Sequence, residues 1–130
     1  MFLCDTNVIS EFFRPRPSPK LLDWAEGVPE VFVSAISIEE IRYGLSWKPN
    51  ARILAAFEGF LAVRCKLLPV TPEIASRSGE MRGAFQARGK TRSVQDMLIA
   101  ATAQVHQLVL VTRNVCDFED CALTLLNPID

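Results

Sequence analysis

Four acidic residues stand where a buried strand would end or a helix would begin. Asp5 directly follows the first apolar run of the chain, and Asp117 lies just past the fourth such run. Glu40 and Asp96 lie near the starts of two later helical stretches. Carboxylates gathered in one place repel one another unless a cation lies among them. Oxygen ligands without histidine or cysteine suit Mg²⁺ or Mn²⁺ and not zinc, so these four residues are candidate metal ligands.

Each acid also has a purely structural interpretation. Asp5 and Asp117 fit turns or helix caps, a common role for aspartate after a strand. The other two acids fit capping boxes that begin at Ser37 and Ser93. Taken singly, each acid is better explained by structure, and only their convergence at one end of a sheet favours a site. The neighbouring acids are interpreted as solvated surface charges or as indirect supports of the site: Glu11, Glu39, Glu119 and Asp120.

The alternation of short apolar runs with longer helical stretches predicts the fold. Two helix starts are marked by a cap residue followed by proline, at Ser18-Pro19 and at Thr71-Pro72. The pattern predicts an α/β protein, a three-layer α/β/α domain over residues 1–130 with a central, mostly parallel five-stranded sheet. Ligands bind beyond the carboxyl ends of the strands in such sheets, so we expect the acids to converge there. The predicted strands are residues 2–4, 31–33, 66–70, 108–111 and 123–126.

Composition limits the kinds of partner and location. With 14 basic and 15 acidic residues the net charge is −1, so a nucleic-acid partner would need a local basic patch. Residues 86–93 are predicted to form an exposed basic loop. The apolar stretch 97–111 is broken by polar residues, so no membrane span is predicted and a cytoplasmic location is expected by default. The four cysteines stand singly, which favours buried free thiols.

Four segments together resemble a known family. "LCDTNVISE", "SAISIEEIRYG", "DMLIAATA" and "LVTRNVCDFE" resemble, in order, the four acidic motifs of the PIN-domain ribonucleases. The likeness is greatest to VapC-type toxins of toxin–antitoxin pairs, in the FitB-like branch. It implies that the catalytic, metal-binding acids are Asp5, Glu40, Asp96 and Asp117. Glu40 is favoured over Glu39 because the family pattern continues to a glycine that corresponds to Gly44. Polar residues that would support the acids are Thr6, Asn7, Thr112 and Asn114.

The resemblance also implies an activity and partners. The expected function is that of a Mg²⁺- or Mn²⁺-dependent endoribonuclease that cleaves single-stranded regions of RNA by attack of a metal-activated water on a phosphodiester. A cognate antitoxin would neutralise the enzyme through a groove near residues 53–63, and a homodimer is expected. Histidine is not required, and His106 is interpreted as a packed or partly exposed side chain. Basic residues that could contact RNA are Arg42, Arg88, Lys90, Arg92 and Arg113.

Three further residues bear on substrate contact. Tyr43 and Trp47 could stack on bases, but their helical spacing favours packing within the protein. Gln95 stands where relatives often have a small residue, which implies an altered pocket shape.

The sequence leaves two rival functions open. Phosphoryl transfer through an aspartyl-phosphate on Asp5 is disfavoured, because Asn7 stands where a second aspartate would be needed. The other alternative is a non-catalytic RNA- or phosphate-binding α/β module whose acids only cap helices.

Overall fold

The protein has one five-stranded sheet in which every neighbouring pair of strands is parallel. The computed structural model describes all residues, 1–130. The prediction of a mostly parallel five-stranded sheet is confirmed, and each predicted strand overlaps an observed one. The strand order is β3-β2-β1-β4-β5. The strands are β1 (Phe2–Cys4), β2 (Val31–Ser34), β3 (Cys65–Leu68), β4 (Val109–Val111) and β5 (Leu125–Leu126).

Six α-helices connect the strands, and each begins at a residue whose side chain accepts a backbone N–H bond. The predicted caps Ser18, Thr71 and Ser93 are confirmed, each accepting from an N–H three residues on. Such caps satisfy amide groups that the helix leaves unpaired. The helices are α1 (Thr6–Phe12), α2 (Pro19–Glu26), α3 (Ala35–Trp47), α4 (Ala51–Arg64), α5 (Pro72–Ala87) and α6 (Val94–His106). A short 3₁₀ helix spans Val115–Phe118.

The predicted start of α3 is wrong. Its cap is Ser34, which accepts from the Ile36 amide, and not Ser37. Ser37 lies fully buried inside the first turn, and Glu40 therefore lies in the second turn and not the opening one. The strand β2 thus runs directly into its helix, with one serine ending the strand and capping the helix.

Two apolar cores lie on opposite faces of the sheet. On one face α5 and α6 pack through residues such as Phe85 and Met97. On the other face α1 to α4 pack through residues such as Val8 and Phe57. Because adjacent residues of a strand point to opposite faces, Leu3 belongs to the first core and Cys4 to the second. This is the predicted three-layer α/β/α arrangement.

The chain order reverses at the centre of the sheet, and this positions the candidate site. From β1 the chain adds β2 and β3 on one side, and it then crosses to β4 and β5 on the other. The carboxyl ends of β1 and β4 therefore flank a crevice, the usual ligand position in open α/β sheets. None of the six helices is both long enough and apolar enough to span a bilayer.

Candidate metal and active site

All four candidate acids line one polar cavity at the carboxyl ends of β1 and β4. The cavity has a volume of about 320 Å³, and no hydrophobic or basic residue lines it. We call it the acidic cavity. Its walls come from the ends of two strands, three helices and the 3₁₀ helix. The lining residues are Asp5, Thr6, Asn7, Glu40, Asp96, Asn114 and Asp117.

Asp5 is the most buried of the four acids, with 4% of its surface exposed. One carboxylate oxygen accepts from the Thr6 amide at 2.8 Å as the N-cap of α1. The other oxygen accepts from the Thr112 hydroxyl at 2.8 Å. The pKa of Asp5 is raised to about 6, mainly by burial and to a smaller extent by the charges of Asp96 and Glu40, although the two hydrogen bonds lower it. The carboxylate is therefore held rigidly and lacks a positive partner.

Glu40 reaches the acidic cavity from α3. Its Oε1 accepts from the Thr6 hydroxyl at 2.9 Å, and the same hydroxyl is 2.8 Å from the buried Ser37 hydroxyl. Burial raises the pKa of the Glu40 carboxyl, and the negative charge of Asp96 raises it further. Thr6 thus joins the first turn of α1 to α3, with its amide on Asp5 and its hydroxyl on Glu40. Ser37 supports the site in a way that its expected capping role did not suggest.

Asp96 and Asp117 form the other side of the cavity. Asp96 lies in the first turn of α6, half-buried, and its pKa is raised by burial first and then by the charge of Asp117. Asp117 is exposed on the 3₁₀ helix. Arg92 anchors this helix by donating to the Cys116 carbonyl at 2.9 Å and to the Glu119 carbonyl at 3.3 Å.

The supporting polar residues fall into two pairs. Thr6 and Thr112 donate directly to carboxylates, as described above. Asn7 and Asn114 line the cavity without bonding to an acid. Asn7 Oδ1 accepts from the Arg113 amide at 3.4 Å, and the Asn114 amide donates to the Thr112 hydroxyl at 3.0 Å. These bonds tie the start of α1 to the loop after β4.

The five basic residues do not line the acidic cavity. Arg42 pairs with Glu58 on α4 at 3.1 Å. Lys90 lies 3.5 Å from Asp120, and Arg88 and Arg92 both stack on the Phe85 ring. The predicted loop at 86–93 begins two residues later, because Gln86 and Ala87 end α5. Residues 88–93 are largely exposed, as predicted, but Arg92 is half-buried.

Of the two interpretations of Glu11, the structure favours an indirect support of the site over a solvated surface charge. Only 4% of its surface is exposed, and it accepts from Arg113 at 3.2 Å and from the Ser18 amide at 3.0 Å. A buried ion pair of this kind costs desolvation and depends on its geometry. The Glu11–Arg113 pair fixes the loop that carries Asn114. It also engages the side chain of Arg113, which the sequence predicted as a possible RNA contact.

Other expectations also need correction. Tyr43 and Trp47 are exposed and not packed. Cys4 and Cys121 are buried free thiols as predicted, but Cys65 is half-buried and Cys116 is exposed. His106 ends α6 in an exposed position, ten residues along the helix from Asp96, or about 15 Å.

The donor set fits a hard divalent cation. Three of the four carboxylates have raised pKa values, and the fourth, Asp117, is exposed. The cavity that they share contains no cationic side chain and no sulfur or imidazole ligand. As they stand, no three of the chain's His, Cys, Asp and Glu side chains are grouped tightly enough to hold an ion, so binding would draw these carboxylates together.

The arrangement is that of the α/β proteins that bind their ligand at the switch point of a parallel sheet. Residues 2–120 match the family model described as PIN domain. The chain is 30% identical to the VapC ribonuclease Y4jK of Sinorhizobium fredii, with 98% of this chain and 97% of the relative covered. The chain therefore belongs to the PIN-domain family, among its VapC-type ribonucleases.

Solved structures show the same fold. The structure of FitAcB from Neisseria gonorrhoeae superimposes with a TM-score of 0.82 at 31% identity, covering 98% of both chains. A toxin–antitoxin complex from Klebsiella pneumoniae superimposes with a TM-score of 0.74 at 26% identity, again covering 98% of both chains. The likeness thus spans nearly the whole chain and includes every element that lines the acidic cavity.

Proposed function

We propose that this protein is a VapC-type endoribonuclease that uses Mg²⁺ or Mn²⁺ to cleave single-stranded regions of RNA. The observation that carries the proposal is the acidic cavity, where four carboxylates converge without a cationic side chain. The ribonuclease name of Y4jK and the likeness to a toxin–antitoxin complex support the activity and its biological setting.

The residues of the chain have separable roles in this proposal. Asp5, Glu40 and Asp96 would hold the ion, and Asp117 would hold a second ion or orient the attacking water. A bound divalent ion would supply a water activated for attack and would neutralise charge that develops on the phosphate. Thr6 and Thr112 hold two of the acids in place through the bonds at 2.9 and 2.8 Å.

The products follow from the direction of attack. Water attacks phosphorus, the bond from phosphorus to the 3′ oxygen breaks, and that oxygen takes up a proton. One RNA fragment then carries a 5′-phosphate and the other a 3′-hydroxyl. No histidine lies at the acidic cavity, since the single His106 is at the far end of α6.

Cleavage of an unstructured RNA by the purified protein tests this function. We expect cleavage with Mg²⁺ or Mn²⁺, none with chelator, and a loss of at least about 100-fold in Asp5→Asn, Glu40→Gln and Asp96→Asn. Asp23→Asn and Glu26→Gln change exposed acids of α2 and serve as matched controls that cleave like the wild type.

Circular dichroism of each variant shows whether it is folded. Full cleavage by the folded acid variants would reject the metal site. Retention of RNA by the wild type without any products would instead favour the non-catalytic binding module.

We also propose an antitoxin partner that docks beside the acidic cavity. A groove of about 360 Å³ lies between α1, α3 and α4, and Phe13, Ile41, Leu45 and Ile53 form its apolar walls. We call it the helix groove. Thr6 and Glu40 line it as well, so an amphipathic segment seated there would reach the acidic cavity. Phe57 and Phe60, which lie in the segment 53–63 where the groove was expected, pack against Phe13.

Two wider properties complete the proposal. We infer a homodimer on the basis of family likeness, and sedimentation equilibrium of the purified protein tests it. We also propose that residues 1–130 act as one domain, since both apolar cores share the single sheet. Unfolding curves by fluorescence and by circular dichroism should then coincide.

A further inference from the structure

The helix α3 carries two aromatic side chains that nothing in the chain covers. Tyr43 is 64% exposed and Trp47 is 70% exposed. All eight phenylalanines and Trp24 are buried or half-buried, so these two are the exposed aromatics of the protein. Their ring centroids lie 6.5 Å apart with the planes tilted by 50°. An exposed aromatic pair of this kind indicates a binding surface.

The pair lies directly beside the acidic cavity. Tyr43 lines a cavity of about 360 Å³ together with Glu39, Glu40 and Gln95. Glu40 also lines the acidic cavity, so the two cavities meet at this side chain. Trp47 follows Tyr43 by one helical turn and extends the surface away from the acids. A chain bound across the acids would therefore pass over the aromatic rings.

The surroundings favour a nucleic acid over an apolar protein surface. Both rings are largely exposed and, at a tilt of 50°, are not stacked on each other, which suits separate planar groups such as unpaired bases. The Lys48 ammonium lies 5.4 Å from the centre of the Trp47 ring and offers a positive charge to a phosphate. The other exposed neighbours on α3 are polar and would be buried at a cost in an apolar interface: Glu39, Arg42 and Ser46.

We propose that Tyr43 and Trp47 form a base-stacking subsite that binds unpaired nucleotides of the RNA next to the acidic cavity. The subsite rests on the proposed RNA substrate and adds to it how an unpaired stretch is recognised. Paired bases already stack on one another and cannot offer their faces, so the subsite accounts for a preference for single strands. Gln95 forms part of the same cavity wall.

Fluorescence of Trp47 gives a direct measurement of the subsite. The chain has two tryptophans, and Trp24 packs edge-on against Phe2 at 5.3 Å. In an Asp5→Asn, Trp24→Phe protein, which the proposed function predicts to be inactive, Trp47 is the only tryptophan, and its emission is excited selectively over that of tyrosine. We expect a short unpaired RNA oligonucleotide to quench this emission and the same sequence in a duplex to leave it unchanged. Tyr43→Ala in this background should weaken RNA binding at least about fivefold.

Cleavage kinetics in otherwise native protein provide the second measurement. Tyr43→Ala and Trp47→Ala should each raise KM at least about fivefold with little change in kcat, since the rings bind substrate and do not touch the reacting phosphate. Tyr43→Phe, which keeps the ring, should restore the KM that Tyr43→Ala loses. Leu22→Ala removes an exposed apolar side chain of α2 and is the matched control.

The outcomes separate the subsite from the proposed function. Unchanged RNA affinity and KM in both alanine variants would overturn the subsite, even if the acid variants abolish cleavage. A shift in oligomeric state by sedimentation velocity, without an effect on RNA, would also overturn it and assign the rings to a contact between protein chains. If the acid variants still cleave while the alanine variants bind RNA weakly, the metal site fails and the subsite stands.

Discussion

The four carboxylates of the acidic cavity differ in how firmly the protein holds them. Asp5 is bonded on both oxygens and nearly fully buried, and Glu40 is bonded on one oxygen by Thr6. Asp96 is half-buried, whereas Asp117 is exposed on a short 3₁₀ helix. The acids that are held most firmly are those held by contacts with residues distant in the sequence. The sequence motif identified the acids, but only the fold shows this gradation.

The pKa of Asp5 leads to a prediction for the metal-free protein. The pKa of the Asp5 carboxyl is 3.8 in the unfolded state and about 6 in the folded state. Between these two pH values the folded protein therefore keeps a proton on Asp5 that the unfolded protein has released. Stability therefore falls as pH rises from about 4 to about 6 and remains lower above it. Asp5→Asn removes this loss while keeping the cap of α1, since asparagine also caps helices.

We therefore expect Asp5→Asn to be more stable than the wild type at pH 7.5 by on the order of 3 kcal/mol in chelator. The gap should shrink towards pH 4. Urea unfolding at both pH values measures it, with Asp23→Asn as the control. A gap that is constant with pH, or that widens in acid, is inconsistent with a buried, uncompensated carboxylate.

At the scale of elements, local signals predicted most of the fold. Apolar runs located all five strands, and the caps Ser18, Thr71 and Ser93 located three helix starts, because a capping residue acts within one turn of the chain. The start of α3 was predicted wrongly because Ser37 fits the capping-box pattern with Glu40, whereas the actual cap, Ser34, also ends a strand. Ser34 caps α3, and Ser37 instead contacts Thr6 across the fold.

Long-range contacts explain the other corrections. Glu11 is buried because Arg113 pairs with it from 102 positions away, and no local pattern contains that contact. Tyr43 and Trp47 have the spacing of packed residues on a helix, but no other element of the chain covers their face of α3. Spacing alone predicts that two side chains share a helix face, and it does not predict what lies opposite that face.

The helix groove gives a prediction for the elements that form it. Ile53 is half-buried in its wall, so Ile53→Glu would place an unpaired charge where the antitoxin segment must pack. We expect this variant to cleave RNA normally but to bind the cognate antitoxin at least about tenfold more weakly by isothermal titration calorimetry. Leu22→Glu, on the exposed side of α2, is the control. Wild-type affinity in Ile53→Glu would exclude this groove as the docking site.

At the scale of the whole molecule, the parallel sheet brings together residues that are distant in sequence. The bond between Asp5 and Thr112 joins positions 107 apart, and it forms because β1 and β4 are neighbours at the centre of the sheet. The net charge of the chain is only −1, so no overall positive charge of the protein offsets the negative acidic cavity. The cavity therefore repels an RNA phosphate unless a cation neutralises it. Metal binding is therefore the central requirement of the proposed function.

Titration of the wild-type protein with Mn²⁺ at pH 7.5, followed by isothermal titration calorimetry, tests this requirement most directly. We predict saturable binding that weakens at least about tenfold in Asp5→Asn, Glu40→Gln and Asp96→Asn and is unchanged in Asp23→Asn. Equal Mn²⁺ affinity in the wild type and all three folded site variants would contradict a metal centre in the acidic cavity.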